Sequence, residues 1–128
     1  MTTAMQVRVV RAAERSAPAE GQTAGMRREQ ALADDRVWAG TVLTDPAAFS
    51  GWHHHGEYDT YVYVISGRVS VESGPQGRDR VDAGADDFLY IPRGTVHREG
   101  NPDELPAHAV VVRVGSGQQV FNVEGPGT

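Results

Sequence analysis

Cysteine and lysine are both absent from this chain of 128 residues. Without cysteine there is no disulfide, no thiolate metal ligand and no cysteine nucleophile. Without lysine the chain cannot form a Schiff base with a substrate. Any metal ion must therefore be bound by histidine, carboxylate or backbone oxygen.

Positive charge and long apolar runs are also scarce. The 12 basic residues, all arginine, face 17 acidic ones, and the formal net charge is −5. The chain lacks the basic stripe that phosphate backbones require, so nucleic acid is not expected as a partner. No apolar run approaches the roughly 20 residues of a membrane span, and the first residues lack the apolar core of a signal peptide. These absences predict a cytoplasmic protein with no membrane partner.

The first 35 residues differ in composition and hydrophobic pattern from the rest of the chain. The valine-rich residues 7–10 suggest a short strand. Residues 12–25, rich in Ala, Glu, Ser, Pro and Gly, are typical of a surface arm. Residues 26–32 predict one or two helical turns. We therefore interpret residues 1–35 as an N-terminal strand and arm.

From Val37 onward, short apolar runs alternate with turn signals. The valines at 110, 112 and 114, for example, precede the sequence Gly-Ser-Gly. Short strands at this spacing, separated by glycine and proline, predict an all-β sandwich or barrel. No segment after Val37 shows the 3.6-residue period of a helix. Residues 36–128 are therefore predicted to form a single β domain.

Three consecutive histidines, His53 to His55, lie in a segment that we interpret as extended. Because successive side chains on a strand point to opposite faces, His53 and His55 share one face and His54 points away. Two imidazoles on one interior face can reach a single ion at distances of about 2.0–2.1 Å. Glu57 has the same parity, so an unbroken strand would aim its carboxylate at the same side. A lone H-x-H segment is weak evidence and needs a second element.

Two longer segments supply that second element. Gly51 to Gly67 reads GWHHHGEYDTYVYVISG and resembles the first motif of the cupin superfamily, G-x5-H-x-H-x3/4-E-x6-G. Gly84 to Asn101 reads GADDFLYIPRGTVHREGN and resembles the second motif, G-x5-P-x-G-x2-H-x3-N. The resemblance covers roughly residues 37–114 and is specific because both motifs are present together.

The resemblance implies a fold and a metal centre. The fold is all-β, a double-stranded β-helix or jelly-roll barrel over residues 36–128, with the N-terminal arm packed on it. In the family the histidine at the position of His97 supplies a third ligand, so His53, His55 and His97 would bind one divalent metal ion. Imidazole suits Fe, Zn and Ni alike, which leaves the identity of the ion open. The family commonly forms homodimers through edge strands, and a homodimer is therefore expected.

Two positions depart from the family pattern. Thr60 stands where the first motif has its glutamate, so three neutral histidines would leave the charge of the ion uncompensated by protein. We expect that Thr60 is not a ligand and that water, substrate or Glu57 completes the coordination. Asp86 stands where the second motif has a glycine at a turn. Asp tolerates positive φ better than most residues, so we expect a strained but intact turn.

The predicted function is that of a metal-dependent cupin enzyme acting on a small polar or anionic metabolite. With Fe(II) it would be an oxygenase, and with Zn(II) or Ni(II) a lyase, isomerase or rearrangement catalyst. Glu57 is the candidate catalytic residue, as a general base or as a conditional fourth ligand, although a solvated loop carboxylate is an equally good interpretation. The bend that Gly56 permits is the weak point of that candidate. The alternative function is a non-catalytic module that binds metal or a ligand.

Overall fold

The structure, a computed structural model, describes residues 6–18 and 22–127. Within these ranges the chain forms ten strands and two single-turn 3-10 helices, Ala12–Glu14 and Pro75–Gly77. The strands are β1 (Met26–Ala33), β2 (Val37–Thr44), β3 (His53–His54), β4 (Asp59–Ser66), β5 (Val69–Ser73), β6 (Asp79–Ala83), β7 (Phe88–Ile91), β8 (His97–Gly100), β9 (Ala107–Val114) and β10 (Phe121–Asn122). No helix in the described ranges is long and apolar enough to span a membrane. The all-β prediction is confirmed.

The strands form two five-stranded antiparallel sheets. One sheet has the order β1-β2-β9-β4-β7 and the other the order β10-β3-β8-β5-β6. Strands that are distant in sequence therefore become neighbours, as where β2 pairs with β9 and β3 pairs with β8. The second of these pairings brings the two histidine motifs together.

Alternating burial along the strands follows from the period of two in the sequence. In β2 every second residue, starting at Trp38 and ending at Thr44, is buried. Such alternation places one face of the sheet in the interior and the other in solvent. The buried side chains form two apolar clusters: Val64, Val69, Val71, Ala83, Ile91 and Ala107 in one, and Met26, Val42, Val62 and Ala109 in the other.

The turn before β7 contains the second departure from the family pattern. Asp86 has a φ of 72°, in the left-handed region, and its N–H donates to the carbonyl of Val64 at 2.8 Å. The Tyr63 hydroxyl also donates to the carboxylate of Asp86. The turn is therefore intact at positive φ, as expected for an aspartate in that position.

Two sequence predictions near the N-terminus are wrong. Residues 7–10 form no strand, and Val7 is fully exposed. Residues 26–32 form most of strand β1 rather than helical turns. The reason is tertiary: β1 pairs with β2 from Met26 to Ala33, and the hydrogen bonds of that pairing outweigh the local helix propensity. Residues 19–21 of the predicted arm lie outside the described residues, and the domain division at residue 35 stays a prediction.

Exposed aromatic side chains cover the outer face of β4 and β7. Tyr61 and Tyr90 stack with ring centroids 5.3 Å apart, and Tyr63 contacts Phe88 at 5.0 Å. Phe88 is 76% exposed. This outward placement follows from the parity of Tyr61 and Tyr63 relative to the buried Thr60. The homodimer expected above stays a prediction.

Candidate metal centre

Three histidines meet inside the barrel where β3 and β8 pair. His53 begins β3, His55 follows it by two residues, and His97 begins β8 directly opposite His53. All three are buried, with relative exposures of 5%, 4% and 0%. Each offers one ring nitrogen, and these atoms lie within 4.8 Å of one another. The structure thus brings together the three residues that the sequence predicts as metal ligands.

The hydrogen bonds of these histidines determine which ring nitrogen faces the shared space. Each Nδ1 lies against a backbone carbonyl, which can only accept, so each Nδ1 carries the proton and each Nε2 presents a lone pair. The carbonyls are those of Gly51 for His53 at 2.9 Å, Gln119 for His55 at 2.8 Å and Thr95 for His97 at 2.9 Å. The buried Nε2 of His97 has no hydrogen-bond partner among the described residues. Three oriented Nε2 lone pairs fit a divalent metal ion.

His54 points away from this cluster. Its ring stacks on Phe121, with centroids 4.8 Å apart and an interplanar angle of 10°. Its Nδ1 accepts a hydrogen bond from the N–H of Gly56 at 3.0 Å. The alternation of the H-x-H segment therefore places His54 outside, as the sequence predicts.

Glu57 lies elsewhere than the sequence analysis expected. Gly56 has a φ of 57°, and the N–H of Tyr58 donates to the carbonyl of His55 at 3.0 Å, so the chain turns immediately after His55. Glu57 lies exposed on that turn, outside the histidine group. Residues 53–57 therefore do not form one extended run. The geometric reason for a catalytic Glu57 no longer holds.

Thr60 and Arg113 lie opposite each other across β4 and β9 and both face the interior. Thr60 is 2% exposed, and its Oγ1 has no hydrogen-bond partner in the described part of the chain. Arg113 lies over the ring of Trp38 at 5.0 Å and donates from Nη1 to Gln119 Oε1 at 3.2 Å. Thr60 therefore occupies the family's carboxylate position with a neutral, buried hydroxyl.

A carboxylate that the sequence analysis missed lies beside the histidines. The Oε1 of Glu99 is 3.8 Å from His53 Nε2 and 3.4 Å from the Nη2 of Arg28. Burial disfavours its charge, but His97 and the guanidinium of Arg28 beside it outweigh that effect and hold the pKa of Glu99 below its usual value. The alternation rule that pairs His53 with His55 also pairs Glu99 with His97, because the two are two residues apart on β8.

A polar cleft of about 180 Å³ opens beside the cluster. Its lining includes Arg28, Ser50, His53, His55, Arg113 and Asn122. The two arginines are each 7% exposed, so their charges lie in a region from which water is largely excluded. Both guanidinium groups lie at the lining of this cleft, beside His53 and His55.

Residues 40–113 match the protein family described as the cupin domain. The chain belongs to the cupin family. It is also similar to the uncharacterized protein YdbB of Bacillus subtilis (strain 168), with 36% identity over 55 residues that make up 41% of this chain and 47% of that protein. The chain therefore spans about half the length of this curated relative.

Solved structures confirm the double-stranded β-helix fold of this cupin. An uncharacterized conserved protein with a double-stranded β-helix domain from Klebsiella pneumoniae superimposes with a TM-score of 0.72 at 20% identity, over 93% of this chain and 99% of that one. Oxalate decarboxylase of Bacillus subtilis, in a study of its Mn(II) centres, superimposes with a TM-score of 0.68 at 19% identity. That superposition covers 84% of this chain and 30% of the decarboxylase. At this level of identity the likeness shows the fold alone.

Acid is expected to destabilise the metal-free cupin through the buried histidines. Burial lowers the pKa of His53, and burial followed by the charge of Arg113 lowers the pKa of His55 to about 3. In the unfolded chain both rings titrate near 6.5. Below that pH the unfolded state binds protons that the folded state does not, so stability falls as the pH falls. The free energy of unfolding should fall by about 1.4 kcal/mol per pH unit for each histidine.

Urea titrations of metal-free protein between pH 7.5 and pH 5 measure this slope. His55→Gln should reduce the slope by the contribution of one group. A free energy of unfolding that stays constant between pH 7 and pH 5 would contradict the expectation.

Proposed function

We propose that this cupin is a metal-dependent enzyme that acts on a small anionic metabolite, with His53, His55 and His97 holding one divalent ion. The observation that carries the proposal is the set of three Nδ1–carbonyl hydrogen bonds, which leave three Nε2 lone pairs directed into one buried space. A histidine cluster that served only packing would more commonly use both ring nitrogens in hydrogen bonds, since buried polar atoms are usually paired.

The ion would supply Lewis acidity or, as Fe(II), a place for oxygen chemistry. Iron, zinc and nickel all suit imidazole ligands, and the Mn(II) centres named for oxalate decarboxylase add manganese to the candidates. The chain's own contribution is orientation: the carbonyls of Gly51, Gln119 and Thr95 hold the rings in place before any ion arrives. Such preorganisation lowers the cost of assembling the centre.

Arg113 supports the anionic substrate class. Its guanidinium is held by the Trp38 ring and by Gln119, the same residue whose carbonyl orients His55. A planar guanidinium fixed next to a metal centre can bind one end of a carboxylate while the other end approaches the ion. Arg28, which also lines the cleft, carries a second positive charge.

Arg113→Gln is expected to weaken binding of a small carboxylate to the metal-loaded protein at least tenfold, since a charge-assisted contact is worth about 1.5–3 kcal/mol. Isothermal titration with oxalate, malonate and succinate measures the effect. Arg93→Gln is the matched control, because Arg93 is an exposed arginine paired with Asp59 at 3.0 Å. If Arg113→Gln and wild type bind the carboxylates with equal affinity at equal metal content, Arg113 does not bind the anion.

Catalysis is tested with the same panel of carboxylates. Wild-type protein loaded with Fe(II), Mn(II), Zn(II) or Ni(II) is incubated with each acid, and oxygen uptake and products are followed. The enzyme proposal predicts turnover with at least one metal and none after chelation. Tight binding of a carboxylate with no turnover under any metal would favour the non-catalytic binding module instead.

A further inference from the structure

The proposed centre has an unbalanced charge. Three neutral imidazoles contribute none of the negative charge that a divalent ion attracts, and the family's carboxylate position is the hydroxyl of Thr60. The nearby acids of the first motif do not correct this. Glu57 is exposed on its turn, and Asp59 accepts hydrogen bonds from the backbone and guanidinium of Arg93 at 3.0 Å each.

Glu99 is positioned to supply the missing negative charge. Strand β8 carries Glu99 on the same face as His97, and the side chain of Glu99 is only 16% exposed. Its Oε1 lies 3.8 Å from the Nε2 of His53. Two ligand atoms of one ion, each about 2.1 Å from the metal, lie roughly 3–4 Å apart. The spacing of Glu99 and His53 falls in the range of a ligand pair. Glu99 lies outside the group of ligand atoms that are within 4.8 Å of one another, so its side chain must turn toward the histidines to bind the same ion.

Ser50 fixes the backbone of Glu99 by hydrogen bonds, whereas the carboxylate of Glu99 has a longer contact, with Arg28. Its N–H donates to Ser50 Oγ at 3.1 Å, and its carbonyl accepts from the Ser50 N–H at 2.8 Å, which ties β8 to the loop before His53. The carboxylate meets Arg28 at 3.4 Å, longer than the 2.5 Å ion pair of Glu72 with Arg98 on the same sheet. A ligating carboxylate commonly has one such outer hydrogen-bond donor.

We infer that Glu99 is the anionic protein ligand of this metal centre, with Arg28 positioning its carboxylate. The inference rests on the proposed function, because it presupposes that the three histidines bind an ion. The centre is then a three-histidine, one-carboxylate site whose carboxylate comes from β8, two residues after His97, instead of from β4 at Thr60. A carboxylate ligand also favours oxygen-preferring ions such as Mn(II) over a purely imidazole site.

Glu99→Gln tests the inference, since it keeps the shape of the side chain and removes its charge. Affinities for Mn(II) and Co(II) are measured by competition with a chelating indicator, and the visible absorption of bound Co(II) reports its ligand set. We expect at least a tenfold loss of Mn(II) affinity together with a changed Co(II) spectrum. Glu72→Gln is the matched control, a half-buried glutamate paired with an arginine on the neighbouring strand, and should change neither.

The remaining outcomes each overturn the inference. A Glu99→Gln protein that binds Mn(II) within twofold of wild type shows that Glu99 is not a ligand. Weaker binding with an unchanged Co(II) spectrum shows that Glu99 acts only through its charge. If Glu99→Gln does not fold, Glu99→Asp replaces it as the test, because it shortens the side chain by one methylene and keeps the charge. An Mn(II) affinity of Glu99→Asp equal to that of wild type then shows that Glu99 is not a ligand. Wild type that binds no metal refutes the proposed function itself.

Discussion

Single replacement of His53, His55 or His97 by alanine is expected to lower the affinity for divalent metal by more than about 100-fold. Removing a residue that only supports a ligand typically costs 10–100-fold, and removing the ligand itself should cost more. The three variants should behave alike, because each ring contributes one Nε2 to the same buried group. Metal content after purification, together with competition titrations, measures the loss.

His54→Ala is the control within the same segment. Its ring stacks on Phe121 outside the barrel, so its removal should leave metal affinity within about twofold of wild type while costing some packing energy. Metal loss from His54→Ala as large as that from His53→Ala would contradict the assignment of faces along the H-x-H segment.

Asn101→Ala is expected to lower the free energy of unfolding by about 3 kcal/mol, although Asn101 belongs to the second histidine motif and not to the metal centre. The side chain is fully buried. Its Nδ2 donates to the carbonyl of Leu105 at 2.6 Å and to that of Thr44 at 3.3 Å, while its Oδ1 accepts from the N–H of Asp103 at 3.0 Å. Its loss leaves three backbone groups without this partner, each worth about 1–3 kcal/mol when buried and unpaired.

Chemical denaturation of the metal-free protein measures the Asn101 effect. Asn122→Ala is the control, because Asn122 is exposed on β10 and a surface substitution should change stability by no more than about 0.5 kcal/mol. If Asn101→Ala and Asn122→Ala unfold at the same denaturant concentration, the network of Asn101 does not hold the β8–β9 loop to β2.

The sequence was sufficient to predict the histidine cluster because the rule involved is local. Alternation along an extended segment places His53 and His55 on one side, and the resemblance to the second cupin motif adds His97. The fold class followed from equally local information, the short apolar runs and their turns. The register His53 opposite His97, which completes the cluster, was implied only by the family resemblance.

Other features depend on contacts or dihedral angles that local patterns do not contain. Residues 26–32 have good helix formers, and only the pairing of β1 with β2 makes them a strand. Extending one strand through Gly56 predicts an interior Glu57, and a single positive φ at that glycine turns the chain outward instead. Glu99 fits the same alternation rule on β8, but the family pattern places the carboxylate at the position of Thr60.

The most direct test of the metal centre is a crystal structure of the protein loaded with one transition metal, with anomalous diffraction recorded at the absorption edge of that metal. We expect one strong anomalous peak inside the barrel, about 2.0–2.2 Å from the Nε2 atoms of His53, His55 and His97. The three Nδ1 atoms should keep their carbonyl partners. A peak bound through Nδ1, a peak at another group of side chains, or no peak at saturating metal would contradict it.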